Sequence, residues 1–317
     1  MPTQRVWWRL EDVPPDFGPS ALTIGNFDGV HRGHRELMRT TAAAAAANGW
    51  KPSVLTFQPH PAEVVAPQRA PKMITAFPRR VELMGEQGIE QVVVLPFTQA
   101  VARWTPEDFV QFLVARLGAK CIVTGDDFRF GHKQAGNRNL LEAFGLRDGF
   151  EVIVVDPVNV RGERVSSSLV RERVLAGGVA RAARLMARPF ELEGNVVPGQ
   201  GIGSTQTVPT LNLDPNSEVL PRDGVYVTRT RDLAGARVWD SITNVGMRPT
   251  FGGTSLTVET FLLSPYEAPA PQRIRVQFLW RVRDERKFDS PELLKAQILQ
   301  DVARAGRVHQ HLRKFCA

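Results

Sequence analysis

Hydrophobic positions in the first part of the chain fall into short, dense runs. Leu22–Gly25, Ser53–Phe57, Gln91–Pro96, Lys120–Gly125 and Glu151–Asp156 are rich in Val, Ile and Leu and show no clean apolar–polar alternation. Strands buried on both faces have this signature. Between them lie stretches of helical character at Arg35–Ala47, Pro78–Gln87, Pro106–Leu117 and Arg138–Ala143. Gly49, Gly88 and Gly118 stop three of these, and Thr105-Pro106-Glu107 opens one with a cap, a first-turn proline and an acid. Such alternation predicts an α/β domain, a parallel sheet with helices on both faces.

A helix is expected from Ser166 through Arg171 to the Gly177-Gly178 pair, and another over Ala180–Ala187, ended by Arg188-Pro189. The texture then changes. Phe190–Val197, Gly224–Arg229, Val238–Asn244, Leu256–Leu263 and Ile274–Val282 read as strands separated by Gly, Pro, Asp and Asn, which predicts a small antiparallel barrel or sandwich. A final amphipathic helix over Pro291–Leu312 follows the caps Asp289-Ser290, with Leu293, Leu294, Ile298, Val302 and Val308 as its apolar stripe. The 317 residues thus divide into two domains, 1–186 and 187–317.

Composition adds limits rather than detail. With 43% hydrophobic and 23% charged residues the chain reads as soluble and globular, with a sizeable core. Its net charge of +7 and pI near 9.9 suit anionic ligands. The arginines are scattered, without the basic stripe and interleaved aromatics of a nucleic-acid face, so small anionic molecules are expected and nucleic acid is not. Cys121 and Cys316 are the only cysteines and lie far apart. They give neither a disulfide framework nor a metal cluster, which fits a reducing compartment. Cys121 sits in an apolar run and is expected in the core. No run approaches the ~18 apolar residues of a membrane span, and MPTQRVWWRLEDVPPDFG at the N-terminus lacks a signal-peptide core. The expectation is a cytoplasmic protein without a membrane partner; the oligomeric state is left open.

The chemistry concentrates in Gly25-Asn26-Phe27-Asp28-Gly29-Val30-His31-Arg32-Gly33-His34, between the first expected strand and an alanine-rich helix. A strand turning through glycines into a helix leaves backbone N–H groups and the positive end of a helix facing outward, ready for phosphate. His31 and His34 at that end can hydrogen-bond phosphoryl oxygens as charge develops. On a parallel sheet, ligands bind beyond the carboxyl ends of the strands. Phe57-Gln58-Pro59-His60-Pro61 also falls there, as a structural turn or part of the site. Gly125-Asp126-Asp127-Phe128-Arg129-Phe130-Gly131 falls there too, with two carboxylates and an arginine between aromatics. Val165-Ser166-Ser167-Ser168-Leu169-Val170-Arg171 opens a helix with three hydroxyls and an arginine one turn in. Capping explains one serine; the set is better suited to polyphosphate.

These four motifs, in this order, resemble the adenylyltransferase half of the bacterial bifunctional riboflavin kinase/FMN adenylyltransferase (FAD synthetase) family. That family's G-N-F-D-G-V-H-x-G-H, F-x-P-H-P, G-x-D-F-R-F-G and S-S-T-x-I-R have counterparts at 25–34, 57–61, 125–131 and 166–171, with Ser168 in place of the threonine. In the second half, Gly203-Ser204-Thr205-Gln206-Thr207-Val208-Pro209-Thr210-Leu211-Asn212 is similar to the family's glycine loop and P-T-A-N. Asn244-Val245-Gly246-Met247-Arg248-Pro249-Thr250-Phe251 is similar to its N-x-G-x-R-P-T-F, Val258-Glu259 to its V-E, and Phe278 with Arg283–Phe288 to its closing strand.

The resemblance implies a Rossmann-like nucleotidyltransferase domain followed by a β-barrel riboflavin kinase domain with a C-terminal helix. It implies ATP and Mg²⁺ as co-reactants and riboflavin, FMN and FAD as the flavins. His31, His34 and Glu259 are the implied catalytic residues. Gly25, Asn26, Phe27, Asp28, Gly33, Ser167, Ser168, Arg171 and Gly203 would hold nucleotide, Asp127, Arg129 and Arg283 the flavin, and Thr210 and Asn212 the metal, whose preference for hard oxygen donors they match. The kinase half departs from the pattern at Ser204-Thr205, where a basic residue is usual, at Thr207 for a glycine, Leu211 for an alanine and Phe261 for a histidine. Loss of the loop cation removes one source of phosphate charge stabilisation. The alternative is therefore an adenylyltransferase whose second domain binds flavin but is a weak or inactive kinase.

Overall fold

A computed structural model of the chain describes residues 4–198, 210–215, 219–235, 237–250, 253–264, 270–286 and 288–316. Packing divides it into two compact units, Met1–Lys72 with Phe77–Ser166, and Met73–Ala76 with Ser167–Ala317.

The first unit contains β1 (Arg5–Trp7), β2 (Ser20–Ile24), α1 (Arg32–Asn48), β3 (Lys51–Gln58), α2 (Pro61–Val65), α3 (Phe77–Gly85), β4 (Gln91–Pro96), α4 (Pro106–Ala115), β5 (Ala119–Gly125), α5 (Arg138–Asp148) and β6 (Glu151–Val155), then the two-residue strands β7 (Asn159–Val160) and β8 (Glu163–Arg164). The first six strands form one parallel sheet in the order β1-β4-β3-β2-β5-β6. Its two faces explain the missing alternation. Leu22, Ile24, Leu55, Val93 and Leu95 pack with Phe109, Leu113 and Leu141 of α4 and α5, whereas Val54, Val92 and Val94 pack with Met38, Leu83 and Met84 of α1 and α3. Both sets are buried, so the central strands are apolar on each face.

The expected helices form, and their ends follow local chemistry. Thr105 and Asp108 make a reciprocal capping box around Pro106 at the start of α4. α1 and α5 end on Gly49 (φ +69°) and Gly149 (φ +76°) in left-handed conformation. β1, which no apolar run marks in the sequence, is a three-residue edge strand paired to β4 over Gln91–Val93. Cys121 is a free thiol buried in the core, and burial pushes its pKa up to about 12.

The second unit comprises α6 (Ser167–Leu175), α7 (Val179–Met186), β9 (Phe190–Val197), β10 (Thr210–Asp214), β11 (Gly224–Asp232), β12 (Val238–Thr250), β13 (Gly253–Leu262), β14 (Arg273–Arg283) and α8 (Pro291–Cys316). Its strands close into an antiparallel barrel in the order β10-β13-β12-β11-β14-β9. The packing division at Ser166/Ser167 falls ahead of the 186/187 boundary expected from texture, because α7 packs on α6, β9 and β14.

A connected set of buried hydroxyls runs across β11, β12 and β13. Thr228 bonds Ser241 (2.8 Å) and Thr243 (2.7 Å), Thr230 bonds Ser241 (2.8 Å), and Thr243 bonds Thr260 (2.9 Å). Each hydroxyl can donate and accept, and every member of the ladder has at least one partner within it.

α8 corrects one sequence expectation. Leu293, assigned to its apolar stripe, is 55% exposed, whereas Asp301, Ala305 and His309 are buried. Polar residues occupy the buried face because the barrel supplies partners: Arg283 for Asp301, and Asp240 and the Ser241 carbonyl for His309.

Candidate active sites

The turn after β2 is built against backbone preference. Phe27 and Val30 adopt φ of +51° and +37° around Gly29 at +80°. A β-branched residue at positive φ is strained, and such strain persists where the surroundings impose it. The surroundings here are core: Phe27 and Val30 are buried with Met38, Leu83 and Met84. The Gly25 N–H donates to the Leu55 carbonyl (3.1 Å) and the Val30 N–H to that of Phe27 (3.1 Å).

The turn delivers His31 to the N-cap of α1, where its Nδ1 accepts the His34 N–H at 3.3 Å. That assigns the neutral His31 proton to Nε2, leaving a donor there. The two imidazoles stack with centroids 3.6 Å apart and planes 19° from parallel, and Phe27 meets His34 edge-on at 5.3 Å. A Cβ at Gly33 would lie 3.3 Å from the His31 ring, so glycine leaves that ring its place. Burial lowers the His31 pKa to about 4, opposed by a backbone hydrogen bond. His34 is pushed well below the ordinary histidine value, first by burial, then by His31 and Arg80. Both are neutral N–H carriers at pH 7.

Two neighbours come from adjacent strand ends. His60 caps α2, its Nδ1 accepting the Ala62 N–H (3.1 Å), and its Nε2 lies 3.1 Å from the Asn26 side-chain amide. After β5, Asp126 and Asp127 are followed by Arg129 in an open loop. Arg164 of β8 bridges both carboxylates, its Nη2 donating to Asp126 Oδ1 (2.7 Å) and Asp127 Oδ2 (2.9 Å). No sequence motif contains Arg164, which reaches the acids only through the β7–β8 hairpin. None contains Arg80 of α3 either, whose Nη1 donates to the Asn26 carbonyl at 2.6 Å. Gly25 and Asn26 are half-buried and Asp28 is buried.

Ser167, Ser168 and Arg171 open α6 in the second unit, with Ser167 and Arg171 half-buried and Ser168 next to them in the first turn. In the barrel, β10 turns Leu211 and Leu213 inward and Thr210 and Asn212 to the other face, where they are half-buried. Asn212 stands directly opposite Glu259 on β13, and Glu259 opposite Asn244 on β12. Three oxygen-bearing side chains from distant parts of the sequence thus lie in one row across three strands. Two departures noted in the sequence are packing positions: Leu211 is buried in the barrel, and Phe261 packs with Ile242, Val227 and Ala305 beneath α8. Gly203, Ser204, Thr205 and Thr207 lie outside the described residues. Arg283, expected at flavin, is engaged with α8: its Nε and Nη2 donate to Asp301 Oδ2 at 2.9 and 2.7 Å. Among the described residues no three His, Cys, Asp or Glu side chains gather as a metal cage.

A parallel α/β sheet that presents a strained, histidine-bearing turn at the end of its central strand, followed by a closed barrel with an acid–amide row, belongs to the nucleotide-dependent transferases. Two family models divide the chain in the same way: FAD synthetase matches residues 14–169 and riboflavin kinase residues 186–309. The chain is 35% identical over 298 residues to a bifunctional riboflavin kinase/FMN adenylyltransferase of Pseudomonas fluorescens, covering 93% of this chain and 95% of that one. It is 34% identical over 281 residues to its counterpart in Escherichia coli K12, covering 88% and 90%. This chain therefore belongs to the bifunctional riboflavin kinase/FMN adenylyltransferase family. A crystal structure from Streptococcus pneumoniae, described as a macrolide-efflux protein, superposes with a TM-score of 0.83 at 28% identity, covering 94% of this chain and 97% of that one. Among the described residues, no helix here is long and apolar enough to cross a membrane.

Proposed function

We propose that this chain makes FAD from riboflavin in two ATP-dependent steps: riboflavin and ATP give FMN and ADP, then FMN and ATP give FAD and pyrophosphate. The observation that carries the reading is that one chain holds both constellations, the stacked His31–His34 pair after β2 and the Asn212–Glu259–Asn244 row on the barrel. The two halves of the work correspond to residues 1–186 and 187–317. A cytoplasmic, reducing setting suits the buried Cys121 thiol.

In the kinase step Glu259 accepts the proton of the ribityl hydroxyl that attacks the γ-phosphorus. A hydroxyl, an amide oxygen and a neighbouring carboxylate are hard donors that fit Mg²⁺, which takes few protein ligands and completes its shell with phosphate oxygens and water. Thr210 and Asn212 would hold it, and bound there it would supply charge neutralisation at the ATP phosphates. Gly203 would lie against the nucleotide. Phosphoryl transfer of this kind rests on positioning and charge stabilisation more than on covalent chemistry.

In the second step the FMN phosphate is already a nucleophile and needs no strong base. His31 and His34 donate N–H bonds to oxygens that gain charge as the α-phosphorus is attacked and pyrophosphate departs. Gly25, Asn26, Phe27, Asp28 and Gly33 form the nucleotide-binding turn. Ser167, Ser168 and Arg171 hold the β- and γ-phosphates, and Asp127 and Arg129 lie on the flavin side.

The test is to incubate purified protein with riboflavin and MgATP and to separate the flavins over time. FMN followed by FAD is the expected course. FAD from supplied FMN, with no FMN from riboflavin, would leave only the adenylyltransferase half.

A further inference from the structure

Arg80 is 3% exposed, yet it belongs to none of the motifs that mark the site. It sits on α3, with Leu83 and Met84 of the same helix packed into the core beside Phe27 and Val30. Burying a guanidinium is costly unless its donors are used. One is: Nη1 donates to the Asn26 carbonyl at 2.6 Å. The group also lies 4.8 Å over the Phe77 ring, a stacking that favours a planar guanidinium over a lysine ammonium. Its Nε has no partner among the described residues.

Asn26 is held at its other end by His60. Because His60 Nδ1 accepts the Ala62 N–H, its neutral ring carries the proton on Nε2. An Nε2–H needs an acceptor, so the Asn26 amide must turn its Oδ1 toward His60; oxygen and nitrogen of an amide are assigned from such networks. As placed, Asn26 Nδ2 faces His60 Nε2 and Oδ1 is buried without a partner among the described residues; with the amide turned, that buried position holds the NH₂ group. His34 Nδ1 is a third buried polar atom in the same position. Three such atoms around one strained turn are costly in an apolar interior, and a ligand rich in acceptors would relieve the two donors.

We propose that Arg80 is a positioning residue of this turn, clamping the Asn26 carbonyl from α3 so that the Asn26 NH₂ group and the His34 ring are set to meet an incoming nucleotide phosphate. The inference rests on the adenylyltransferase reading of the first unit. Arg80 also acts through charge. The groups around His34 are the stacked His31, the edge of Phe27 and the Arg80 cation, with Asp28 and Glu63 acting on Arg80 and His60 across Asn26. Arg80 is the cation among them that opposes protonation of His34.

Arg80→Met and Arg80→Lys separate shape from charge. The readouts are thermal melting, kcat and KM for ATP in FMN adenylylation, the NMR titration of the His34 ring, and riboflavin phosphorylation as a control in the other unit. Arg80→Met is expected to lower kcat for FAD formation about 10- to 100-fold, with KM for ATP within about threefold and the His34 titration moved upward. Arg80→Lys is expected to return the titration toward wild type while kcat stays at least about fivefold low, since the fork is missing. A kcat within about twofold of wild type in Arg80→Met, or an unmoved His34 titration, would overturn the proposal. If Arg80→Met shows no melting transition, Arg80→Lys decides alone, and an unaltered kcat overturns it. A wild-type protein that makes no FAD from FMN removes the adenylyltransferase reading instead, and the titration still decides whether Arg80 sets His34.

Discussion

His31 and His34 stack at 3.6 Å between ring centroids at the first turn of a helix, with His31 buried and His34 partly so. Two imidazolium cations cannot be held face to face at that distance where water is largely excluded. The folded pair therefore binds at most one proton. At neutral pH both rings are neutral and offer N–H groups. The stack thus favours hydrogen-bond donation over proton transfer, which is what a reaction with a ready-made phosphate nucleophile requires.

Acid sensitivity follows from the same burial. His31 has a folded pKa of about 4 against an ordinary 6.5, so the unfolded chain binds a proton that the folded chain refuses. Stability is then complete above about pH 6.5 and falls as pH drops through the window to about 4, by an amount approaching about 3 kcal/mol. His31→Asn preserves an N-cap acceptor for the His34 N–H and removes this titration. Denaturant unfolding of both proteins from about pH 7.5 to 4, which covers that window, should show the wild type losing more stability than the variant. Parallel curves would mean that His31 titrates normally.

On the proposed function the histidines and Glu259 serve different reactions, so their effects should not cross. His31→Ala or His34→Ala is expected to reduce FAD formation from FMN about 10²- to 10³-fold, the usual cost of a transition-state donor, and to leave riboflavin phosphorylation within about twofold. Separate assays of the two half-reactions on the same preparation measure this. Retention of adenylylation within a few-fold in both variants would end the assigned role of the pair.

Glu259→Gln keeps the size of the side chain and its place opposite Asn212 and Asn244 while removing the proposed base. Riboflavin phosphorylation should fall about 10²- to 10⁴-fold, with FAD formation from FMN unchanged. Near-normal FMN production by this variant would show that Glu259 only orients its amide neighbours.

Much of the architecture is legible in the order of the amino acids. The Val/Ile/Leu runs announce a sheet buried on both faces, and adjacent residues such as Val54 and Leu55 do enter opposite clusters. The histidine turn stands out because glycines, histidines and a strand-to-helix change coincide there. β1 is hidden because three residues at a sheet edge carry no periodicity. β10 is hidden because only Leu211 and Leu213 face inward, within a segment whose other residues read as a binding motif. The buried face of α8 escapes an apolar pattern because it carries Asp301 and His309, whose burial is favourable only once the barrel provides Arg283 and Asp240. Arg80 and Arg164 reach their partners through tertiary packing, which local spacing does not reveal.

The Arg283–Asp301 contact gives the sharpest separation between packing and binding. Arg283 donates twice to Asp301, which is 5% exposed and also accepts from Gln297 Nε2 at 2.9 Å. Removing the guanidinium strands a buried carboxylate, which typically costs about 3–5 kcal/mol. Arg283→Met should therefore lower the melting temperature of the barrel unit strongly. Asp301→Asn in the same chain should recover part of the loss, because a neutral amide needs no counter-ion. The double-mutant coupling between the two sites should be substantial, on the order of 1–3 kcal/mol. An Arg283 that chiefly contacts flavin predicts the reverse: KM for riboflavin rises at nearly constant melting temperature, and Asp301→Asn does nothing to restore it. Melting curves and riboflavin saturation curves on the two single variants and the double variant distinguish the outcomes. The geometry favours the first, since the Arg283 guanidinium points its donors to Asp301 and to the Asp284 carbonyl (2.9 Å).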